Sequence, residues 1–392
     1  MNKANRLDRL EQFMVALITS RADKNARSLP IRILLKVLKH LSYIYYAVIQ
    51  TRLWLYEHRI FRYHALGCQV ISIGNLVVGG TGKTPVVEIF ARNLQKKGRK
   101  VAILSRGYKK EEPPILERII RKLTLREMFE PPRIVSDGKK LLLDSSMSGD
   151  EPYMLASNLS DVCVLVDKDR VKSGRYAIDK FGCDTLILDD GFQYLSLKHM
   201  VEIVLVDKTN PFGNEHMLPR GLLREPIKNI KRANFIFLTK SNGTGSEEIK
   251  ARLKDLNPRA EIIECRHSPR YLQNVYSEEK KDLSFLKDLP VVLLSGIAVP
   301  AGFESLIENM GGRILDKHRF VDHHRYTQQE LIDIINKAQR QEAKAIITTE
   351  KDAVRLPMIN RHDVPVYFLR VNIEIISGKE DFHDCISRIC FH

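Results

Sequence analysis

The sequence predicts an α/β fold: a doubly wound sheet, a second and smaller α/β lobe, and an N-terminal amphipathic helical segment. Three observations predict it. Apolar strand-like runs alternate with helical patterns from residue 68 to about 240, and a second such series begins at Val291. The first strand of the first series empties into a glycine loop. The stretch before that strand has helical periodicity and much of the positive charge.

With 392 residues the chain has room for two domains, and its 44% hydrophobic and 28% charged residues are ordinary for a globular protein. The net charge of +15 is unevenly spread, since residues 1–63 hold twelve Lys/Arg against four acids. The expected division is 1–66 as membrane-facing helices, 67–230 as the nucleotide-binding domain and 231–392 as the smaller lobe. Six scattered cysteines form no CxxC pair and no zinc spacing, which suits a reducing compartment. The start has no compact apolar region followed by a small-residue cleavage site, so no secretory signal is read.

Leu7, Leu10, Phe13, Met14 and Leu17 fall at helical spacing, and a second helix is expected from about Pro30 to Tyr56. Its apolar stripe is Ile31, Leu34, Leu35, Leu38, Leu41, Tyr45 and Val48. Arg32, Lys36, Lys39 and Arg52 interrupt the ~20 nearly uncharged residues that a spanning helix needs. Two readings stand: a basic amphipathic helix on an anionic membrane surface, or an ordinary packed helix with its basic face in water. Trp54 and Tyr43, Tyr45, Tyr46 and Tyr56 favour the membrane interface.

Val70, Ile71 and Ile73 form the first buried strand. The loop that follows is Val77, Val78, Gly79, Gly80, Thr81, Gly82, Lys83 and Thr84, and Pro85 is tolerated in the first helical turn. Glycines let backbone N–H groups close around phosphate oxygens at a helix N-terminus. Lys83 would reach the terminal phosphates of ATP and the Thr84 hydroxyl would ligate Mg²⁺, as in a P-loop NTPase-like fold. Val77 stands where that pattern has its first glycine.

Val101–Ser105 is the next strand, and residues 109–130 look like a charged, proline-punctuated excursion. Asp150 and Glu151 precede a helix from about Tyr153. They suit either a helix N-terminus or catalytic and metal work. Val162–Val166 is a strand, and Thr185–Asp189 with Asp190 is an apolar strand ending in acid, where a carboxylate holds Mg²⁺. Val201–Asp207 and Phe235–Lys240 complete the first series. Strands at Val291–Ser295, Arg313–Phe320, Ala345–Thr349 and Val364–Val371, with helices near 302–311, 327–340 and 377–388, make the second.

A phosphate loop serves switches and kinases alike. The guanine-reading Asn-Lys-x-Asp is absent, since Leu238–Asn242 lacks the final Asp. No alternation of basic and aromatic residues suggests a nucleic-acid partner. Asp322-His323-His324 follows a strand, and a histidine oriented by a carboxylate suits general base work. A surface turn or a metal-ligand cluster fits the same residues, although adjacent histidines do not share a face of regular structure.

Taken together, these motifs resemble the tetraacyldisaccharide 4′-kinase family from about residue 30 to 375. They are Val70–Pro85, Leu104-Ser-Arg-Gly-Tyr108, Gly149-Asp-Glu-Pro-Tyr153, Leu188-Asp-Asp-Gly-Phe-Gln193 and Leu223-Arg-Glu-Pro226, followed by Ser295-Gly-Ile-Ala298, Asp322-His323 and Thr349-Glu-Lys-Asp-Ala353. That family lacks the first loop glycine too. The resemblance implies ATP-dependent phosphorylation of the 4′-hydroxyl of a tetraacylated glucosamine disaccharide 1-phosphate. It implies a peripheral seat on the cytoplasmic face of the inner membrane and two lobes that close on nucleotide; a monomer is expected. Lys83 would hold phosphates, Thr84, Asp189 and Asp190 would organise Mg²⁺ with help from Glu151, and Asp150 would act on the acceptor hydroxyl. His323 would support Asp150 from the other lobe, so catalysis would need closure. Tyr194, Val321, Arg220 and Leu222 depart from the family pattern and bear on acceptor details. A switch or assembly ATPase without lipid phosphorylation is the alternative.

Overall fold

The parallel strands read as nearly continuous apolar runs because they are buried on both faces, as Val101–Ser105, Thr185–Asp189 and Phe235–Thr239 are throughout. The computed structural model describes residues 28–107, 130–361 and 363–391. The helix expected at 5–20 and the excursion at 109–130 therefore lie outside the described residues, except Glu130.

Two compact units divide the chain: 1–104, 169–266 and 374–392 form the first, and 105–168 and 267–373 the second. The first opens with α1 (Leu29–Glu57), whose Pro30 sits where no N–H is needed. β1 (Gln69–Asn75), α2 (Lys83–Lys96) and β2 (Val101–Ser105) follow. In the second unit come β3 (Arg133–Asp137), α3 (Ser145–Ser148), α4 (Asp150–Asn158) and β4 (Cys163–Val166). The first unit resumes with α5 (Arg170–Phe181), β5 (Thr185–Asp189), β6 (Val201–Asp207), β7 (Phe235–Thr239) and α6 (Glu247–Leu256). β8 (Glu261–Asn274) begins in the first unit and ends in the second. There follow β9 (Lys280–Lys281), β10 (Pro290–Ser295), α7 (Pro300–Asn309), β11 (Arg313–Arg319), α8 (Gln328–Arg340), β12 (Ala345–Thr349) and α9 (Glu350–Ala353). β13 (Val366–Ser377) leads back to the first unit and to α10 (Lys379–Phe391).

In the first unit β8, β7, β6, β1, β5 and β2 lie side by side and all pair in parallel. Ile71, Ile73, Val86, Phe90, Leu94 and Phe237 are fully buried around β1 and α2, and each such side chain contributes roughly 1.5–3 kcal/mol. In the second unit β11, β10, β12 and β13 pair in parallel, while β3 and β4 pair antiparallel.

The periodicity of α1 needs a correction. Its packed face carries Leu38, Ser42, Leu53 and Tyr56. The Ser42 hydroxyl donates to Met217 O at 2.9 Å and Tyr45 OH donates to Arg224 O at 3.1 Å. Leu41 and Val48, expected on the same stripe, are exposed with Ile33, Val37 and Ile44 in a second apolar line. The helix therefore has two apolar faces, and the single expected stripe straddles both. Among the described residues no helix is long and apolar enough to cross a membrane.

Candidate functional site: a phosphate loop and an Asp–His pair

In the first unit, β1 delivers the chain to the glycine loop and α2 carries it away. Gly79 and Gly82 have φ of 123° and 81°, which L side chains rarely adopt, and Gly82 caps α2. Asn75, fully buried at the end of β1, donates from Nδ2 to Thr81 Oγ1 at 2.7 Å. The Thr239 hydroxyl donates to Thr81 O at 2.8 Å. Lys240 Nζ donates to Gly80 O at 2.7 Å and to Asp207 at 2.6 Å.

Val77 forms an antiparallel bridge with Leu223. On either side of it, Val78 N donates to Leu222 O at 2.8 Å and Arg224 N to Leu76 O at 2.7 Å. Val77 is 6% exposed, so a buried side chain and a second strand segment occupy the position where a first glycine would bend the chain. Val78, Gly79 and Gly80 are exposed, Thr81 is buried, and Gly82, Lys83 and Thr84 are half-buried.

Lys83 opens α2, and its Nζ lies 3.1 Å from Asp190 Oδ1. Asp189 ends β5 as a buried carboxylate, and Asp190 follows with φ of 58°. Arg224 grips Asp190 with two nitrogens, at 2.7 and 2.8 Å. Its Nη2 also donates to Asn75 Oδ1, tying the motif to the end of β1. Burial pushes the Asp190 carboxyl upward, but hydrogen bonds from Arg224 and the Lys83 charge outweigh it and hold it well below the usual range.

In the second unit, Gly149 has φ 92° and ψ 155°, a conformation suited to glycine, and sets Asp150 as the first residue of α4. Asp150 is 5% exposed. His323 Nδ1 lies 2.9 Å from its Oδ2, and Arg355 Nε donates to the same oxygen at 2.8 Å. Against the upward push of burial, His323 and Arg355 hold the Asp150 carboxyl below its ordinary value. His323 has φ of 65°, and its backbone N–H donates to Gly296 O at 3.2 Å. Lys351 Nζ is 3.2 Å from His323 Nε2 and 3.6 Å from Glu151. His324 turns elsewhere, stacking on Phe320 and meeting Glu330 at 3.2 Å.

Asp150 and His323 thus belong to one compact unit and are already in hydrogen-bond contact. The expectation that they come from different lobes and meet only on closure is corrected. The linear domain division misses this because the chain enters the second unit twice. The structure describes Lys83, Thr84, Asp189 and Asp190 in the first unit, and Asp150, Glu151 and His323 in the second. Arg224, Lys240, Lys351 and Arg355 were not expected at either site. Arg224 and Lys351 do lie within family motifs, which was the available signal.

The sequence from 34 to 390 matches the family described as Tetraacyldisaccharide-1-P 4'-kinase. This chain belongs to that family. A tetraacyldisaccharide 4′-kinase of Halothermothrix orenii is 33% identical over 402 residues, covering 98% of this chain and 99% of its own. One from Anaeromyxobacter dehalogenans is 38% identical over 331 residues, 83% of each chain. The crystal structure of LpxK from Aquifex aeolicus in complex with ATP superposes with a TM-score of 0.70 at 28% identity, covering 91% of this chain and 100% of that one.

Proposed function

We propose that this chain transfers the γ-phosphate of ATP to the 4′-hydroxyl of a tetraacylated glucosamine disaccharide 1-phosphate, a step in lipid A synthesis. The observation that carries the proposal is the Asp150–His323 contact of 2.9 Å, in a chain that also has the phosphate loop. A switch ATPase places a water and has no use for a second site built to act on a hydroxyl.

Phosphoryl transfer is mostly positioning and charge stabilisation. The loop N–H groups and Lys83 hold the phosphates, and Arg224 fixes Asp190 beside Lys83. Mg²⁺ prefers oxygen donors, and the Thr84 hydroxyl and the buried Asp189 carboxylate at the end of β5 are donors of that kind. When bound, Mg²⁺ neutralises charge on the β- and γ-phosphates. The Asp190 carboxylate is engaged by Arg224 and Lys83, which favours Asp189 as the direct ligand. Glu151 has a cationic neighbour in Lys351, so its charge is answered without a metal. Asp150 accepts the hydrogen of the acceptor hydroxyl, with His323 holding its carboxylate in place. For transfer, the γ-phosphate held at Lys83 must reach that hydroxyl.

The exposed line Ile33, Val37, Leu41, Ile44 and Val48, flanked by Arg32, Lys36 and Lys39, suits a peripheral seat on the anionic cytoplasmic face of the inner membrane. The test of the reaction is incubation with γ-labelled ATP and the acylated disaccharide 1-phosphate. Label moving into the lipid is expected, and label found only as free phosphate overturns the proposal in favour of the ATPase.

A further inference from the structure

Within the motif Thr349-Glu-Lys-Asp-Ala353, Lys351 faces His323 and Glu151, and Asp352 points the other way, into the interior of the unit. Asp352 in α9 is fully buried. Its Oδ1 accepts from Gly296 N at 3.0 Å, from Tyr326 OH at 3.0 Å and from Arg355 Nη1 at 3.2 Å. Its Oδ2 accepts from the Thr349 hydroxyl at 2.6 Å, and Thr349 caps the helix in return. Four donors and a short helix leave this carboxylate one position.

Arg355, one turn on, has a side chain with no exposed surface. Its Nη1 also donates to Gly296 O at 3.0 Å, its Nε meets Asp150 Oδ2 at 2.8 Å, and its Nη2 lies 3.4 Å from His323 Nδ1. A buried arginine between two buried carboxylates is fixed by the planar fork of its donors, which lysine cannot reproduce. Gly296 closes the arrangement, since a Cβ there would meet Tyr326 OH at 2.9 Å and Asp352 Oδ1 at 3.0 Å.

The two oxygens of Asp150 are therefore unequal. Oδ2 faces both His323 Nδ1 and Arg355 Nε. Oδ1 faces the half-exposed Arg325 guanidinium at 3.7 Å, beyond hydrogen-bond reach. His323 Nδ1 faces the Asp150 carboxylate at 2.9 Å and Arg355 Nη2 at 3.4 Å, while its Nε2 faces Lys351 Nζ at 3.2 Å and Asp322 Oδ2 at 3.9 Å.

We propose that Arg355, held in place by Asp352, is a positioning residue for the kinase reaction: by filling Asp150 Oδ2 jointly with His323, it leaves Oδ1 as the oxygen that acts on the acceptor hydroxyl. The inference rests on the reading of Asp150 given above and adds the residue that aims it. Neither Arg355 nor Asp352 needs to touch substrate.

The experiment compares wild type with Arg355→Lys, which keeps the charge and loses the fork, using γ-labelled ATP and the acylated disaccharide 1-phosphate. Label transfer by the wild type tests the kinase reading on its own; the variant tests this inference. For Arg355→Lys, kcat should fall about 100-fold with KM for ATP within twofold of wild type. The ¹⁵N imidazole signal of His323, identified by its loss in His323→Gln, should shift between wild type and the variant, because Arg355 Nη2 lies 3.4 Å from Nδ1. Should Arg355→Lys not fold, the charge-balanced pair Arg355→Met with Asp352→Asn takes its place with the same expectation. A kcat within threefold of wild type, or an unchanged His323 signal, overturns the proposal. So does a parallel loss of kcat and ATP affinity with a lowered melting temperature, since that is how a purely structural residue behaves.

Discussion

Asp190→Asn should tighten ATP binding in the absence of metal while it lowers turnover. Lys83 Nζ lies 3.1 Å from Asp190 Oδ1, with 17% of the lysine side chain and 37% of the aspartate side chain exposed. On the role proposed for Lys83, incoming phosphates must draw it away from that carboxylate. A partly exposed pair of this kind is worth about 1 kcal/mol, and losing it as a competitor corresponds to about a fivefold lower Kd. Asparagine keeps the shape and a weaker contact to Arg224, and it leaves two cations facing the loop. The assay is calorimetric titration of ATP in EDTA at low and high salt, and the gain should shrink at high salt as charges are screened. An unchanged or weakened metal-free affinity would refute the idea that Asp190 holds Lys83 against nucleotide. Turnover with Mg²⁺ should nonetheless fall at least tenfold, because Arg224 and Lys83 lose the carboxylate that spaces them.

Three further predictions follow the same reasoning. Glu264 is buried and is pulled from 4.5 to about 2: burial raises it, but Lys250 and the hydroxyls of Ser241 and Ser246 outweigh burial. Its stabilisation is therefore present above pH 4.5 and lost as pH falls toward 2, and it amounts to about 3 kcal/mol at most. Urea melts should show Glu264→Gln less stable than wild type at pH 7, with most of the gap closed near pH 2.5; a constant gap would contradict the assignment. The paired change Val37→Glu and Ile44→Glu should reduce recovery on anionic vesicles about tenfold and leave activity in detergent within twofold, and unchanged recovery would remove this face of α1 from membrane contact. Lys240→Met should weaken ATP binding about tenfold by loosening Gly80, without changing KM for the lipid; equal effects on both substrates would point to general damage.

The nucleotide side was largely legible because its signals are local. β1, the glycines, Lys83 and the acids ending β5 each sit within a few residues of the feature that reveals them. The helix α5 was not read, although Asp169 caps it by accepting from Val171 N and Lys172 N. β8 escaped because Arg266, Pro269 and Arg270 break the apolar pattern in a strand of 14 residues. Asp150 and His323 were found through motifs and paired through the family resemblance, but that they share one compact unit was not legible, because residues 173 apart in sequence carry no mark of adjacency. Arg355 was invisible for a different reason. A basic residue after a short helix reads as surface, and only burial between Asp150 and Asp352 gives it meaning.

The bridge between Val77 and Leu223, with the bonds from Thr239 and Lys240, has a consequence for the order of events during synthesis. A loop shaped by its own glycines is ready once its strand and helix have emerged from the ribosome. This one is braced by segments made much later. Until residue 240 has emerged, the nascent chain carries the loop motif without the supports that shape it, and it should bind ATP poorly. A stalled or truncated product ending before Leu222 would accordingly not sequester nucleotide. Competence for ATP arrives with the chain's middle, long after the motif that announces it.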